Sequence, residues 1–328
     1  MKKNAQHAKT IINLSNMKKL LFLIACFSFL INDLNAQYEA IFSHYQVNKL
    51  LINPATAGFD QDNHKLFMNV RNQWSGFTGA PESYSLSYNG PIGKSLGLGA
   101  LIFTEKIASF TRYRMQLSYA FRYDINETKL GFGMSTEFNR TRLDNSVLND
   151  PLYDAGDQII EDGVDGIRTF DASFGAYLEL PEGTFFGMSM PNLIKNKLDD
   201  ISGESTGGLF NYYLFNAGHR FTIDKKKVTI EPSILVKKVR NAPFSMDLNV
   251  KAGFLNEKLI SGLTYRMGDG GAVAFLVGTK YKNLQFYYSY DAFMGDFQQY
   301  SSGSHEITVA YQILRKNGEF DRSKKYRK

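Results

Sequence analysis

The sequence predicts an all-β fold, a transmembrane antiparallel β-barrel of about fourteen strands with a short N-terminal plug. Three observations predict it. Apolar and polar residues alternate with a period of two through most of the chain, connections alternate between short and long, and the N-terminus reads as a secretory leader. Composition closes other classes. The 328 residues are 43% apolar and 14% aromatic, with 28 Gly, 8 Pro and 1 Cys, which is not a disordered composition. One cysteine excludes a disulfide framework or a site of several thiolates. A mean hydropathy of −0.28, with a longest apolar-dominated run at residues 20–31, falls short of the roughly 20 residues a spanning helix needs.

The first element, residues 1–36, reads as an upstream extension followed by a signal peptide. Met17-Lys18-Lys19 is the basic region, residues 20–31 the apolar core, and cleavage is expected after Ala36. Cys26 sits in a string resembling a lipoprotein acylation box, but the apolar run continues past it. Without this leader the formal charge of +6 shrinks, and much of the remainder lies in the basic tail, residues 315–328. The body is then slightly acidic, and no basic patch points to nucleic acid. The tail is expected in the periplasm, where it would be disordered or would dock an acidic partner or head groups.

Residues 37–62 do not alternate. Tyr38, Ile41, Phe42, Tyr45, Val47, Leu50, Leu51 and Ile52 recur at irregular helical spacing before Asn53-Pro54-Ala55-Thr56-Ala57-Gly58. This predicts a short helix ended by Asn-Pro and then a tight turn, forming the plug; the competing reading is a free extension.

The barrel follows over residues 63–314. Strands are expected at 64–72, 82–90, 95–104, 110–124, 128–140, 168–180, 183–190, 209–223, 227–239, 243–254, 258–267, 271–281, 284–292 and 303–313. Tyr113, Met115, Leu117, Tyr119 and Phe121 alternate with Arg112, Arg114, Gln116, Ser118 and Arg122. Three arginines on one strand face suit a polar lumen and not lipid. Near the end, Ile307, Val309, Tyr311 and Ile313 alternate with Glu306, Thr308, Ala310 and Gln312. Connections after even strands are compact, while the long ones, 73–81, 141–167, 191–208 and 293–302, follow odd strands. That asymmetry is expected when both barrel ends are periplasmic. The stretches 241–242 and 268–270 are short exceptions. Tyr84, Tyr88, Tyr123, Phe138 and Tyr311 fit interfacial girdles. A soluble sandwich or lipocalin-like barrel shares the period but should carry strong charge outside.

No catalytic constellation stands out. Gly93-Lys94-Ser95-Leu96-Gly97 and Gly203-Glu204-Ser205-Thr206-Gly207 match the letters of a nucleophile elbow but lack its strand–turn–helix setting. His305-Glu306 lacks the second histidine of a zinc helix. Gly97/Gly99 and Gly131/Gly133 have strand spacing with no helix to follow, so no phosphate loop is implied. The acidic loop 141–167 lacks calcium-loop spacing and reads as a solvated surface. Neither cofactor nor metal is implied.

Several blocks resemble a known family. Gln37-Tyr38, Phe42-Ser43-His44-Tyr45 and NPATAG at 53–58 look like the mature start of the PorP/SprF family. Arg71-Asn72-Gln73-Trp74 followed by Gly76-Phe77-Thr78-Gly79-Ala80-Pro81 is similar to its most recognisable block. Glu231-Pro232-Ser233, Ser289-Tyr290-Asp291 and Gly303-Ser304-His305-Glu306-Ile307 resemble later ones. The resemblance spans about residues 37–313; the upstream extension departs from it. It implies an outer-membrane barrel of the type IX secretion and gliding machinery. The expected partners are a secreted cargo, such as an adhesin with a C-terminal targeting domain, periplasmic secretion components and outer-membrane lipid. No catalytic residue is implied. Asn53, Pro54, Arg71, Trp74, Asp291, His305 and Glu306 are read as plug, rim or lumen residues open to partner binding. Trp74 is read equally as a cargo contact and as an interfacial anchor. A channel for hydrophobic molecules is the alternative function, with Pro232 as a candidate strand kink; a barrel enzyme is a third.

Overall fold

The structure is a computed structural model that describes residues 42–194, 196–197, 212–223, 227–239, 244–268, 271–294 and 301–315. The expected leader, the residues just after its cleavage site, the Gly203–Gly207 match and nearly all of the basic tail lie outside these residues.

The first half of the wall comprises β1 (Asn63–Asn72), β2 (Glu82–Pro91), β3 (Leu96–Ile107), β4 (Phe110–Ile125), β5 (Thr128–Leu143), β6 (Ile167–Glu179) and β7 (Thr184–Met190). A two-residue strand, β8 (Asn196–Lys197), pairs with β6 beside the ring. The second half comprises β9 (Tyr212–His219), β10 (Phe221–Ile223), β11 (Val228–Val239), β12 (Ser245–Phe254), β13 (Leu259–Met267), β14 (Ala272–Tyr281), β15 (Leu284–Phe293) and β16 (Ser304–Leu314). Each strand pairs antiparallel with its neighbour, and β1 pairs with β16 to close the ring. Both β9 and β10 pair with β11, so together they make one wall strand. The wall is therefore a closed fourteen-stranded barrel, β8 being the extra strand.

The β9–β10 interruption has a local cause. Pairing stops at Gly218↔Ser233 and resumes at Phe221↔Ile230, so the break faces Glu231-Pro232. Proline has no N–H to donate to a ladder. Pro232 thus marks an interruption in its neighbour, while its pairing with Val250 on the other side is intact.

The expected alternation sets the two faces. Leu66, Met68 and Val70 point outward on β1, while Phe67, Asn69 and Arg71 are buried inside. Tyr84 and Leu86 are exposed on β2 opposite buried Ser83, Ser85 and Ser87. A continuous apolar exterior over a polar interior excludes the dry core of a soluble sandwich and matches a wall in lipid.

One barrel end carries tight connections, such as Asn126-Glu127 and Lys282-Asn283, and the other the long loops. The β3–β4 hairpin is a further short connection at the long-loop end, turning on Ala108-Ser109 with Ala108 at φ 50°. Within the acidic loop lie a 3-10 turn (Asn145–Asn149) and a helix, α1 (Gln158–Asp165). Asp144 and Asp157 accept hydrogen bonds from Ser146 N and Ile159 N as caps.

Residues 42–59 run through the interior. Instead of the expected short helix there are three 3-10 turns, Ser43–Gln46, Lys49–Leu51 and Pro54–Thr56. Asn53-Pro54 opens the third turn: Asn53 is extended at φ −151°, its side chain accepts from Ala55 N, and Pro54 takes the first position. Short turns suit a segment that buries groups on several walls, which the single face of a regular helix could not do. Phe42 packs on Leu101 and Phe103; Tyr45 and Ile52 pack on Tyr212, Leu214 and Leu235. Ala55, with Phe59, meets Tyr177 and Phe185, and Val47 meets Ile260, Leu276 and Tyr287.

Candidate functional site

Strand register places opposite charges side by side inside the barrel. Arg71 on β1 lies opposite Glu306 on β16, and Asp247 on β12 lies opposite Arg266 on β13. The Arg71 Nη2 donates to Asp291 Oδ2 at 2.8 Å and its Nη1 to Glu306 Oε2 at 3.0 Å. Arg266 donates from Nε to Asp247 Oδ1 at 3.0 Å and approaches Asp291 at 3.5 Å. Asp291 and Glu306 are fully buried and Arg71 is 2% exposed. A buried charge is tolerable only with close partners and satisfied hydrogen bonds.

The remaining partners come from the N-terminal segment. Ser43 N donates to Glu306 Oε2 at 2.7 Å, and Ser43 Oγ donates to Asp291 Oδ2 at 2.9 Å. His44 N donates to Glu306 Oε1 at 3.1 Å, and the His44 ring lies 2.7 Å from Thr308 Oγ1. Tyr45 Oη donates to Asp247 Oδ2 at 3.1 Å. Burial holds the His44 imidazole below its usual range, Arg71 adding to the effect while Glu306 and Asp291 oppose it. Ser43-His44-Tyr45 therefore completes a charge network shared by β1, β12, β13, β15 and β16, near their long-loop ends.

A second contact fixes the Asn53–Ala57 stretch. Gly133 on β5 lies opposite Gly175 on β6, and Gly187 on β7 lies opposite Tyr177, two residues along β6. A Cβ on Gly175 would fall 2.1 Å from Asn53 Oδ1, and one on Gly133 would fall 2.5 Å from Ala55 N. The wall is smooth here so that backbone can lie against it. Asn53 Nδ2 donates to the carbonyls of Ala176 and Met188, and Ser189 Oγ donates to the carbonyl of Ile52. Gly97 plays the same part under Ala57.

A third feature lies between the segment and the short turns. A cavity of about 640 Å³ opens there, lined by Lys49, Phe59, Arg122, Arg220, Lys251 and Lys280 among others. On the other side of the segment a smaller cavity, of about 50 Å³, lies against Asn53 and Pro54. Lys49 Nζ donates to Tyr177 Oη at 2.7 Å and sits 3.6 Å from the Phe185 ring centroid. Burial pushes its ammonium down to about 8.

Of the residues singled out in the sequence, Arg71, Asp291 and Glu306 meet in one cluster, and Asn53 and Pro54 meet the glycine row. Trp74 stands at the start of the loop 73–81 with φ 56°, its N donating to Ser304 Oγ, and its ring lies 6.4 Å from Phe293. His305 does not join the cluster. It has the parity of Ile307 and faces outward, where its Nδ1 lies 2.8 Å from Tyr288 Oη, and its ring tilts against Tyr290. Of the plug, rim and lumen positions open to it, His305 takes one at the rim, on the outer face. Ser43, His44, Asp247 and Arg266 were not singled out, because lumen polar residues look alike until register pairs them.

The family model described as "Type IX secretion system membrane protein PorP/SprF" matches residues 34–311. The chain belongs to the PorP/SprF family. Three solved structures are similar to this PorP/SprF-family barrel in shape. The P. putida toluene transporter TodX is 11% identical with a TM-score of 0.48, covering 82% of this chain and 94% of its own. The Ralstonia pickettii toluene transporter TbuX is 11% identical with a TM-score of 0.49, covering 80% and 92%. The KdgM porin is 12% identical with a TM-score of 0.39, covering 76% and 99%. Among curated proteins none matches. Family and fold together make this an outer-membrane barrel of the type IX secretion system.

Proposed function

We propose that this PorP/SprF-family barrel helps a secreted cargo protein with a C-terminal targeting domain reach or stay on the cell surface, its lumen closed by residues 42–59 acting as a plug. Family membership across nearly the whole barrel carries the secretion reading. The plug reading is supported by the charge network that ties Ser43 and His44 to Glu306 and Asp291. In the same reading the long loops face outward and meet cargo, and the short-turn end faces the periplasmic secretion components. Asn53, Pro54, Arg71, Asp291 and Glu306 then hold the plug, while Trp74 and His305 stand at the cargo-facing rim.

A channel for hydrophobic molecules needs a greasy internal path. The interior instead presents buried Asn69, Arg71, Glu105, Asp171, Asp247 and Glu306, which favours the secretion reading. Deleting the gene and comparing surface and medium proteomes tests it. Loss of one or a few C-terminally tagged proteins from the surface, with other secretion intact, is the expected result. An unchanged profile together with lost uptake of a labelled hydrophobic solute would replace it with the channel reading.

A further inference from the structure

The 640 Å³ cavity at the short-turn end has a charge pattern that the plug does not explain. Its lining holds seven cations, including Lys65 and Lys129, against four carboxylates, Asp60, Asp62, Glu179 and Glu257. Several are neutralised in pairs, Lys65 with Asp60, Lys129 with Glu179 and Arg122 with Asp124. Others are not. Arg220 and Lys251 share the single carboxylate of Glu231 at 2.6 and 2.9 Å. Lys49 has a phenol and an aromatic ring for neighbours, and the Lys280 ammonium has no ion pair among the described residues.

Positive charge in a confined, partly walled space concentrates anions, because the walls focus the field. The cations sit on β1, β4, β5, β12 and β14, at the β9–β10 interruption and on the segment itself, so one small oxyanion cannot reach them together. A chain bearing several carboxylates can. The carboxamides of Asn89, Gln285 and Gln312 also line the space, and a carboxamide both donates to and accepts from a peptide group. The volume falls in the range of about 300–1,000 Å³ typical of organic ligand sites. The chain's own basic tail has the wrong sign to enter.

We propose that this vestibule binds an acidic peptide segment of another protein, entering from the short-turn end. That the segment comes from the periplasm rests on the sidedness proposed above; the binding itself does not.

The test uses the full chain folded in detergent micelles, with fluorescein-labelled hexaglutamate followed by anisotropy and labelled hexalysine as its counterpart. Hexaglutamate is expected to bind and hexalysine not. Raising salt from about 50 to 300 mM should weaken binding about tenfold or more, as it does for partly screened charges. Lys280→Glu, which breaks no ion pair and reverses one charge, and Lys49→Gln, which removes one charged contact, are each expected to weaken it about tenfold or more. If Lys49→Gln fails to fold, Lys280→Glu decides the matter alone. Absence of binding, or binding that both variants leave unchanged, overturns the proposal. Displacement by millimolar inorganic phosphate, or equal binding of diglutamate, overturns it in favour of a small-anion site. None of these results depends on whether cargo secretion is affected, so the two readings fail separately.

Discussion

Arg71 shows how much one side chain can hold. It is the only cation within 3.0 Å of Glu306 among the described residues, and it shares Asp291 with Arg266. Arg71→Leu leaves Glu306 buried without its cation, and removing one partner of a buried pair typically costs about 3–5 kcal/mol. A loss of that size is expected in denaturant unfolding of the micelle-folded barrel, whereas an exposed pair such as Lys129–Glu179 should cost under about 1 kcal/mol. Gly175→Ala offers a different kind of test. The added methyl meets Asn53 Oδ1, so residues 42–59 should become open to protease while the strands stay intact. Asn53→Ala in the same chain removes the obstacle, so the double variant should be less than additively affected. Sequence reading found Arg71, Asp291 and Glu306 through their motifs, but not what they do to one another. For His305 the sequence left plug, rim and lumen open, although its even spacing from Ile307 already placed it on the outer face. Gly131 and Gly133 were read only for what they could not be, because the backbone that needs their smoothness is almost 80 residues away.

At the scale of elements, the strands were written plainly in the sequence because lipid on one side and polar groups on the other enforce a period of two along every wall. The interior segment was not, since its turns answer to three or four walls at once and have no period of their own. Its docking should respond to pH through His44. With the imidazole held below its ordinary 6.5, the undocked segment binds a proton more readily than the docked one. Docking is therefore fully supported above about 6.5 and weakens as pH falls toward the lowered value. Limited proteolysis of residues 42–59 at pH 7.5 and 5.5 checks this: cleavage should be faster at the lower pH, and His44→Gln should flatten the difference. Equal rates in the native chain would remove His44 from the docking equilibrium.

For the molecule as a whole, closure of the ring through β1 and β16 predicts that unboiled protein migrates faster on a gel than boiled protein, since the wall is paired all the way round. In intact cells, protease is expected to cut within residues 144–166, where Leu152 and Ile159 stand almost fully exposed, and to spare the wall. Digestion of the entire chain from outside would contradict the barrel and its sidedness together.

The charge network also ties the beginning of the chain to its end. Ser43 and His44 leave the ribosome early, yet the carboxylates that grip them, Asp291 and Glu306, arrive some 250 residues later in the chain. A ring sealed by β1 against β16 cannot then be filled from the side. Asp291 on β15 and Glu306 on β16 put the latch for the interior segment on the last hairpin of the wall. Such late, distant contacts make assembly slow, and a chain truncated before β15 would keep the contacts of Ile52 and Asn53 with β6 and β7 but lose the carboxylates that grip Ser43 and His44.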